Sequence, residues 1–194
     1  MNSLVKRIFD FLLSLVGILL LSPLYLTIYI VQKLTYNGPA IFVQERIGKG
    51  GKPFNIYKFR TMIVNNENDG IPQLAEADDE RLTRFGKFLR SHHLDELPQL
   101  WNVLKGDMSF VGPRPERKYF IDQIMQYDPR YEQLYAIRPG VTSYATLYNG
   151  YTDTMEKMLR RLELDLYYME NYSWHFDIII LWKTFTSIIF GKKF

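Results

Sequence analysis

Phe11–Val31 reads FLLSLVGILLLSPLYLTIYIV, 21 consecutive residues without a charge. As a helix this run is about 30 Å long, enough to cross the hydrocarbon core of a bilayer. Lys6 and Arg7 precede it and Lys33 follows it. A cleaved signal peptide fits poorly, because the run is too long and no small-residue cleavage site follows. A helix buried in a soluble core is the other alternative, and the length argues against it. Ser22-Pro23 lies near the middle. Proline removes a backbone hydrogen bond and kinks a helix, and the Ser hydroxyl can take up the freed carbonyl. On these residues two geometries stay open: a kinked span, or a helix that enters, breaks and returns to the same face. Basic residues at both ends are compatible with both ends facing the cytoplasm.

Outward from this segment the composition is globular. Of 194 residues, 47% are hydrophobic and 15% aromatic, which excludes disorder. The chain has no Cys, so a disulfide scaffold, a Cys-ligated zinc site and thiolate nucleophiles are excluded. A formal charge of +3 is too mild to indicate nucleic acid, and no nucleic-acid partner is expected. The mean hydropathy of −0.17 averages over a very uneven chain.

Asn37-Gly38-Pro39 is a turn signal. Ala40–Gln44 reads as a strand, Gly48–Pro53 as a turn and Phe54–Met62 as a second strand, together a β-hairpin. Asn65–Asp79 is polar and acidic, a surface loop. Asp79–Arg90 has apolar residues at helical spacing (Leu82, Phe85, Phe88, Leu89). Leu94–Leu104 reads as a further helix with Pro98 near its start, Gly106–Pro115 as loop, and Glu116–Gln126 and Thr154–Glu170 as helices. Phe176–Phe190 is apolar but interrupted by Lys183. It is too short to span and suits a helix lying in the membrane interface. The fold class is therefore α+β: a membrane helix plus a small, mostly helical domain with a short β-hairpin and interfacial amphipathic helices.

The densest polar stretch is RSHHLDELPQLWNVLKGDMSFVGPRPE, residues 90–116. Asp95-Glu96 are adjacent carboxylates before a helix. Ordinary helix-start electrostatics would also place acids there, but their company is unusual. Arg90, Asp107 and Arg114 share the stretch, and Lys58 and Arg60 lie on the second strand. Carboxylates beside several cations suit a Mg²⁺–diphosphate substrate: the carboxylate can hold metal or attack phosphorus, and guanidinium groups bind phosphate oxygens bidentately. Pro113 and Pro115 fix φ on either side of Arg114 and stiffen it, which an anion site requires. His92-His93 make a poor chelate, since adjacent side chains diverge. The Tyr-rich tail (Tyr144, Tyr148, Tyr151, Tyr167, Tyr168, Tyr172) reads as core or interface packing more readily than as a base-stacking platform. No P-loop, GxSxG, HExxH or dinucleotide fingerprint is present.

Taken together, these residues resemble the minimal monotopic phosphoglycosyl transferases among the bacterial sugar transferases. The resemblance runs through the basic-flanked helix with Ser22-Pro23, Pro39–Arg46, Tyr57–Met62 (YKFRTM), Arg84-Phe85-Gly86, Leu94–Gly106 (LDELPQLWNVLKG), Asp107-Met108-Ser109, Val111–Pro115 (VGPRP) and Arg138–Thr142 (RPGVT). It implies transfer of a phosphosugar from a UDP-sugar to undecaprenyl phosphate with release of UMP, the first membrane-bound step of surface glycan assembly. By residue match Asp95 resembles the nucleophile and a Mg²⁺ ligand. Glu96 resembles its dyad partner, which helps deprotonate the incoming polyprenol phosphate. Arg114 resembles the phosphate-binding Arg, and Arg90 and Lys58 are weaker matches. The resemblance makes the N-terminal helix re-entrant, broken at Ser22-Pro23, with both ends cytoplasmic. It divides the chain into an anchor over 1–35 and a catalytic domain over 36–194 on the cytoplasmic face of the bacterial inner membrane. The lipid bilayer and downstream glycosyltransferases are the expected partners. Without the extra N-terminal membrane domain of larger relatives, a stand-alone transferase is expected.

One stretch departs from the family pattern. Where many relatives carry Trp and Gln after the Pro-Gly-Val-Thr segment, this chain has Tyr144 and Thr146, which bears on sugar choice and not on the dyad. Two rivals are weighed: an inactive membrane-tethered scaffold of a glycan-assembly complex, against which the intact Asp95-Glu96 and Arg114 argue, and a UDP-sugar hydrolase using water in place of the lipid.

Overall fold

α1 (Ser3–Thr35) is a helix of 33 residues, long and apolar enough by composition to cross a membrane. It comes from a computed structural model that describes residues 3–36, 38–63, 79–150 and 152–190. The helix continues through Pro23. Pro23 has no N–H to give the Leu19 carbonyl, and the Ser22 hydroxyl donates to that oxygen at 2.8 Å, as the sequence predicts. Thr27 Oγ1 donates to the Pro23 carbonyl at 2.8 Å. The helix is strongly two-sided. Lys6, Asp10, Ser14, Ile28 and Gln32 are buried, Gly17 lies against Leu100, and the Tyr25 ring meets the Phe59 ring at 4.8 Å. These positions recur every three or four residues, so one stripe of α1 lies along the rest of the protein. The other faces are bare hydrocarbon, Leu20 being 74% and Leu34 80% exposed.

β1 (Ile41–Ile47) and β2 (Pro53–Phe59) form the expected antiparallel hairpin, paired from Ile41↔Phe59 to Ile47↔Pro53. The second strand ends at Phe59, short of Met62. The start of the expected turn at Asn37 and nearly all of the expected loop Asn65–Asp79 lie outside the described residues. α2 spans Arg84–Ser91 and not Asp79–Arg90, because Thr83 caps it by accepting the Gly86 N–H at 2.8 Å. A Cβ at Gly86 would collide with the Thr61 backbone, so glycine lets α2 lie directly on the chain leaving β2. The expected helix Leu94–Leu104 divides into a 3₁₀ turn, Leu94–Glu96, and α3, Gln99–Lys105. Asn102 of α3 is fully buried. Its side chain accepts from Tyr57 N (3.1 Å) and donates to Asn55 O (2.7 Å), which fixes α3 to β2.

The expected loop Gly106–Pro115 holds a strand, β3 (Ser109–Val111), paired in parallel with β4 (Gly140–Thr142). Three-residue strands carry no readable alternation, so periodicity misses them. A Cβ on either Gly112 or Gly140 would overlap the backbone of the other segment, which makes the close approach glycine-dependent. α4 (Lys118–Tyr127), the 3₁₀ turn Pro129–Ala136 and α6 (Met155–Glu170) enclose the largest core, with Ile121, Ile124, Leu134 and Leu162 inside. α5 (Tyr144–Asn149) and α7 (Trp174–Phe190) complete the chain. Tyr144, Tyr167, Tyr168, Tyr172 and Phe176 form a chain of ring contacts in which Tyr168 is fully buried, Tyr144, Tyr172 and Phe176 are half-buried and Tyr167 is exposed. Ser143 caps α5 by accepting the Thr146 N–H at 2.9 Å, and its hydroxyl also hydrogen-bonds Thr146 Oγ1 at 2.8 Å, which gives the Thr146 side chain a local structural role. Among the described residues the fold is mostly helical with two small sheets.

Candidate active site

The turn Leu94–Glu96 is constrained at both ends. His93 enters it in the left-handed region at φ 53°, and Pro98, with no N–H to give, caps α3 behind it. The turn packs against β2, and its two acids meet different surroundings there. Glu96 accepts from Lys58 Nζ at 2.6 Å and lies 3.7 Å from Arg114 Nη2. Burial pushes its carboxyl upward, but the Lys58 and Arg114 cations outweigh burial and hold it below the usual range. Asp95 is buried and has no ion pair among the described residues. Burial, reinforced by the neighbouring Glu96 charge, raises its pKa to about 6, against the opposing pull of Lys58 and Arg90. Two carboxylates in adjacent positions are thus driven apart in acidity, which is how one site separates two chemical roles.

Arg114 is held by its backbone. Pro113 O accepts from Gly140 N at 2.9 Å, Arg114 N donates to Asp165 Oδ2 at 3.4 Å, and Pro115 O accepts from Arg46 Nη1 at 3.5 Å. Three successive residues are therefore pinned, while the guanidinium, its side chain 37% exposed, stays free to meet an anion beside Glu96. These contacts come from outside the motif and act on its backbone. Glu116, the next residue, is buried between Arg46 Nη1 and Arg161 Nη2, the latter at 2.9 Å. Burial pushes Glu116 upward and the two arginines more than offset it. Asp165 lies one turn beyond Arg161 on α6, and burial raises it to about 7 against the pull of Arg161 and Arg114. Sequence reading misses Arg46, Glu116, Arg161 and Asp165. The Arg161/Asp165 spacing of four on one helix face was the available signal.

Not every expected residue joins the cluster. Arg90 lies close enough for its charge to act on Asp95, with its Nε donating to Thr61 Oγ1 at 3.1 Å. Arg60 turns away: β2 ends at Phe59, the alternation that would set Arg60 beside Lys58 stops there, and its Nε donates to Pro39 O at 2.8 Å. Asp107 sits at the far end of α3, paired with Lys105 Nζ at 2.9 Å. His92 packs on Phe88, and the described residues hold no group of three or more His, Cys, Asp and Glu that could cage a metal.

Beside the dyad, a groove of about 240 Å³ opens between Ile18, Leu21 and Tyr25 of α1 and Leu97, Pro98 and Trp101. Its lining is mainly apolar, and Leu97 and Pro98 directly follow Glu96.

The sequence profile of the bacterial sugar transferases matches residues 1–191. A UDP-N-acetylgalactosamine-undecaprenyl-phosphate N-acetylgalactosaminephosphotransferase from Aeromonas hydrophila is 43% identical over 187 residues, covering 96% of this chain and 44% of that protein. A UDP-glucose:undecaprenyl-phosphate glucose-1-phosphate transferase from Escherichia coli (strain K12) is 44% identical over 185 residues, covering 94% of this chain and 40% of that protein. This chain thus spans less than half the length of these two relatives. An exopolysaccharide production protein PSS from Rhizobium leguminosarum bv. phaseoli is 40% identical over 201 residues and covers both chains completely. With a family match running from one end of the sequence almost to the other, the chain belongs to the bacterial sugar transferase family.

Proposed function

We propose that this protein transfers a sugar 1-phosphate from a UDP-sugar to undecaprenyl phosphate, releasing UMP and starting the assembly of a surface polysaccharide. The observation that carries the reading is the divided dyad, one carboxylate held by two cations and the other without an ion pair among the described residues, set beside a pinned arginine and an apolar groove. The two relatives named for their substrates act on different UDP-sugars, so the donor is a UDP-sugar whose identity the assay must supply.

In the first step an Asp95 carboxylate oxygen attacks the β-phosphorus. The bond from that phosphorus to the bridging oxygen breaks, and UMP leaves with the electron pair. Asp95 then carries the phosphosugar covalently. In the second step an oxygen of undecaprenyl phosphate attacks the same phosphorus, frees Asp95 and forms the polyprenyl-diphosphate sugar. Glu96, kept ionised by Lys58 and Arg114, is placed to take a proton from the incoming phosphate. Arg114 binds the non-bridging oxygens on which charge develops. The groove beside Leu97 and Pro98 would receive the first isoprenoid units.

Mg²⁺ fits this site as a shared ion. It is commonly held by one or two carboxylates plus substrate phosphates, and Asp95 offers a buried carboxylate with no ion pair among the described residues. When bound, it would neutralise diphosphate charge.

For topology, we read the chain as a monotopic protein of the bacterial cytoplasmic membrane. The anchor comprises residues 1–35, and the catalytic part, residues 36–194, lies on the cytoplasmic face. The support is that both ends of α1 bind the same body: Arg7 donates to Val103 O at one end, and Gln32 Nε2 donates to Arg60 O (2.6 Å) at the other. About 38 Å of helix separates these two residues, so a straight span would carry one of them away. α7 adds a second apolar face through Ile178, Trp182 and Phe185, exposed at positions one helical face apart.

The test is UMP release from the protein in nanodiscs with Mg²⁺ and a panel of UDP-sugars, with and without undecaprenyl phosphate. Lipid-dependent release with one donor is expected. Sustained release without lipid would make it a hydrolase, and no release from any donor with lipid present would favour an inactive scaffold.

A further inference from the structure

The first three turns of α1 carry Lys6, Arg7 and Asp10, residues that a purely lipid-facing anchor would leave at the membrane surface. Here all three turn inward. Arg7 Nη1 and Nη2 donate to the carbonyls of Val103 (2.6 Å) and Leu104 (2.7 Å), at the open C-terminal end of α3. The Asp10 carboxylate, buried, accepts from Phe110 N at 3.2 Å in the middle of β3. Lys6 pairs with Asp177 of α7. Asp177 also accepts from the Tyr168 hydroxyl at 2.6 Å, and that hydroxyl lies 3.4 Å from Val111 O of β3. A charge withdrawn from water into such a place is costly unless it is paired, so these contacts are specified features of the fold.

The two segments so gripped are the ones that hold the site. α3 follows directly from the Asp95-Glu96 turn, and β3 runs directly into Gly112-Pro113-Arg114. Arg7 and Asp10 lie one helical turn apart, on a single rigid element. Their bonds to Val103, Leu104 and Phe110 go to backbone groups of α3 and β3. We propose that Arg7 and Asp10 are positioning residues for the transfer reaction: they tie α3 and β3 to a common strut and so set the separation of the dyad from Arg114. The start of the membrane helix is then part of the catalytic framework as well as part of the anchor. The proposal rests on the transferase reading given above.

The test uses the full chain in nanodiscs and the UMP-release assay, with vesicle flotation and thermal melting as controls. Asp10→Ala is expected to lower kcat/KM on the order of tenfold to a hundredfold, the scale of a displaced catalytic group, with flotation unchanged. Asp10→Asn, which keeps an oxygen to accept from Phe110 N, recovers most of that loss. In combination, Asp10→Ala with Arg114→Ala falls no further than Arg114→Ala alone, because the group being positioned is already gone. If Asp10→Ala melts without a cooperative transition, Arg7→Gln enters the same cycle with Arg114→Ala. Losses that multiply, or a variant as active as the parent, overturn the strut while leaving the transferase reading intact. A parent chain that turns over no donor overturns both.

Discussion

Two buried clusters in this protein are built from the same parts. Each has a glutamate saturated by two cations, Glu96 by Lys58 and Arg114, and Glu116 by Arg46 and Arg161. Each has an aspartate raised by burial, Asp95 to about 6 and Asp165 to about 7. What differs is access. Arg161 and Glu116 have side chains 6% and 7% exposed and spend themselves on each other, whereas Arg114 keeps 37% of its side chain open beside Glu96. Among the described residues neither aspartate has an ion pair, Asp165 accepts one backbone N–H through Oδ2, and its Oδ1 is buried without a hydrogen-bond partner. A perturbed carboxylate is therefore not in itself a sign of chemistry. The first cluster reads as the site because a ligand can reach it, and the second as the frame that holds Arg114 in place.

The sharpest way to break this comparison is Asp95→Asn. We expect turnover to fall at least about a thousandfold, as when a covalent nucleophile is lost. The same change should stabilise the fold. Ionised Asp95 is disfavoured in the folded state, so its cost is absent below its ordinary pKa of 3.8 and grows until the pH passes about 6. The Asn variant should therefore melt higher at pH 8, by an amount on the order of 1–3 kcal/mol, and level with the parent near pH 4. A variant that loses activity and stability together would place Asp95 in the frame and not in the site.

Glu116→Ala tests the other side. Removing one partner from a buried pair strands Arg46 and Arg161, at a cost of about 3–5 kcal/mol. Denaturant unfolding should register it, and activity at low temperature should survive in whatever fraction stays folded. Glu96→Gln, which is closer to solvent, should cost less stability and more turnover.

Arg114→Ala comes next in size. Losing a charge-assisted phosphate contact of about 1.5–3 kcal/mol should lower kcat/KM at least about tenfold, with the melting temperature almost unmoved because the backbone clamps on Pro113 and Pro115 remain. Unchanged kinetics would remove Arg114 from the phosphate site.

The same contrast explains what was legible in the sequence. Asp95, Glu96 and Arg114 stand out because one short polar run around Gly and Pro holds them, and Lys58 because the strand that carries it is readable. The hairpin and α6 were also readable, the first from its alternation and glycine-rich turn and the second from its helical run after Thr154, which caps it. Arg46, Glu116, Arg161 and Asp165 come from three distant segments and meet only through tertiary packing, so apart from the i,i+4 spacing of Arg161 and Asp165 no local pattern reveals them. β3 and β4 are too short to alternate. Lys6 and Arg7 look like the basic flank of an anchor, and only the fold turns them inward. Arg60 was misplaced because a strand was continued three residues past its end.

The smallest expected effect is a shift of a pH profile. On the proposed mechanism the ionised form of Asp95 attacks, so kcat/KM should rise with pH through an apparent midpoint near 6 and fall away below it. Lys58 opposes the upward push of burial on Asp95, while for Glu96 it is a direct partner at 2.6 Å. Replacing it by Met removes a cation from both carboxylates at once. The acidic limb should then move to higher pH, by on the order of one unit or less, since about 1.4 kcal/mol of lost charge stabilisation corresponds to one unit. The plateau above the limb should drop much less than in Asp95→Asn. Lys58 carries no part of the closed Glu116 cluster, so the Lys58→Met change should leave the stability cost of Glu116→Ala as it was when the two are combined. A limb that stays in place, or moves down, would mean that Asp95 is not the group whose ionisation admits the donor to reaction.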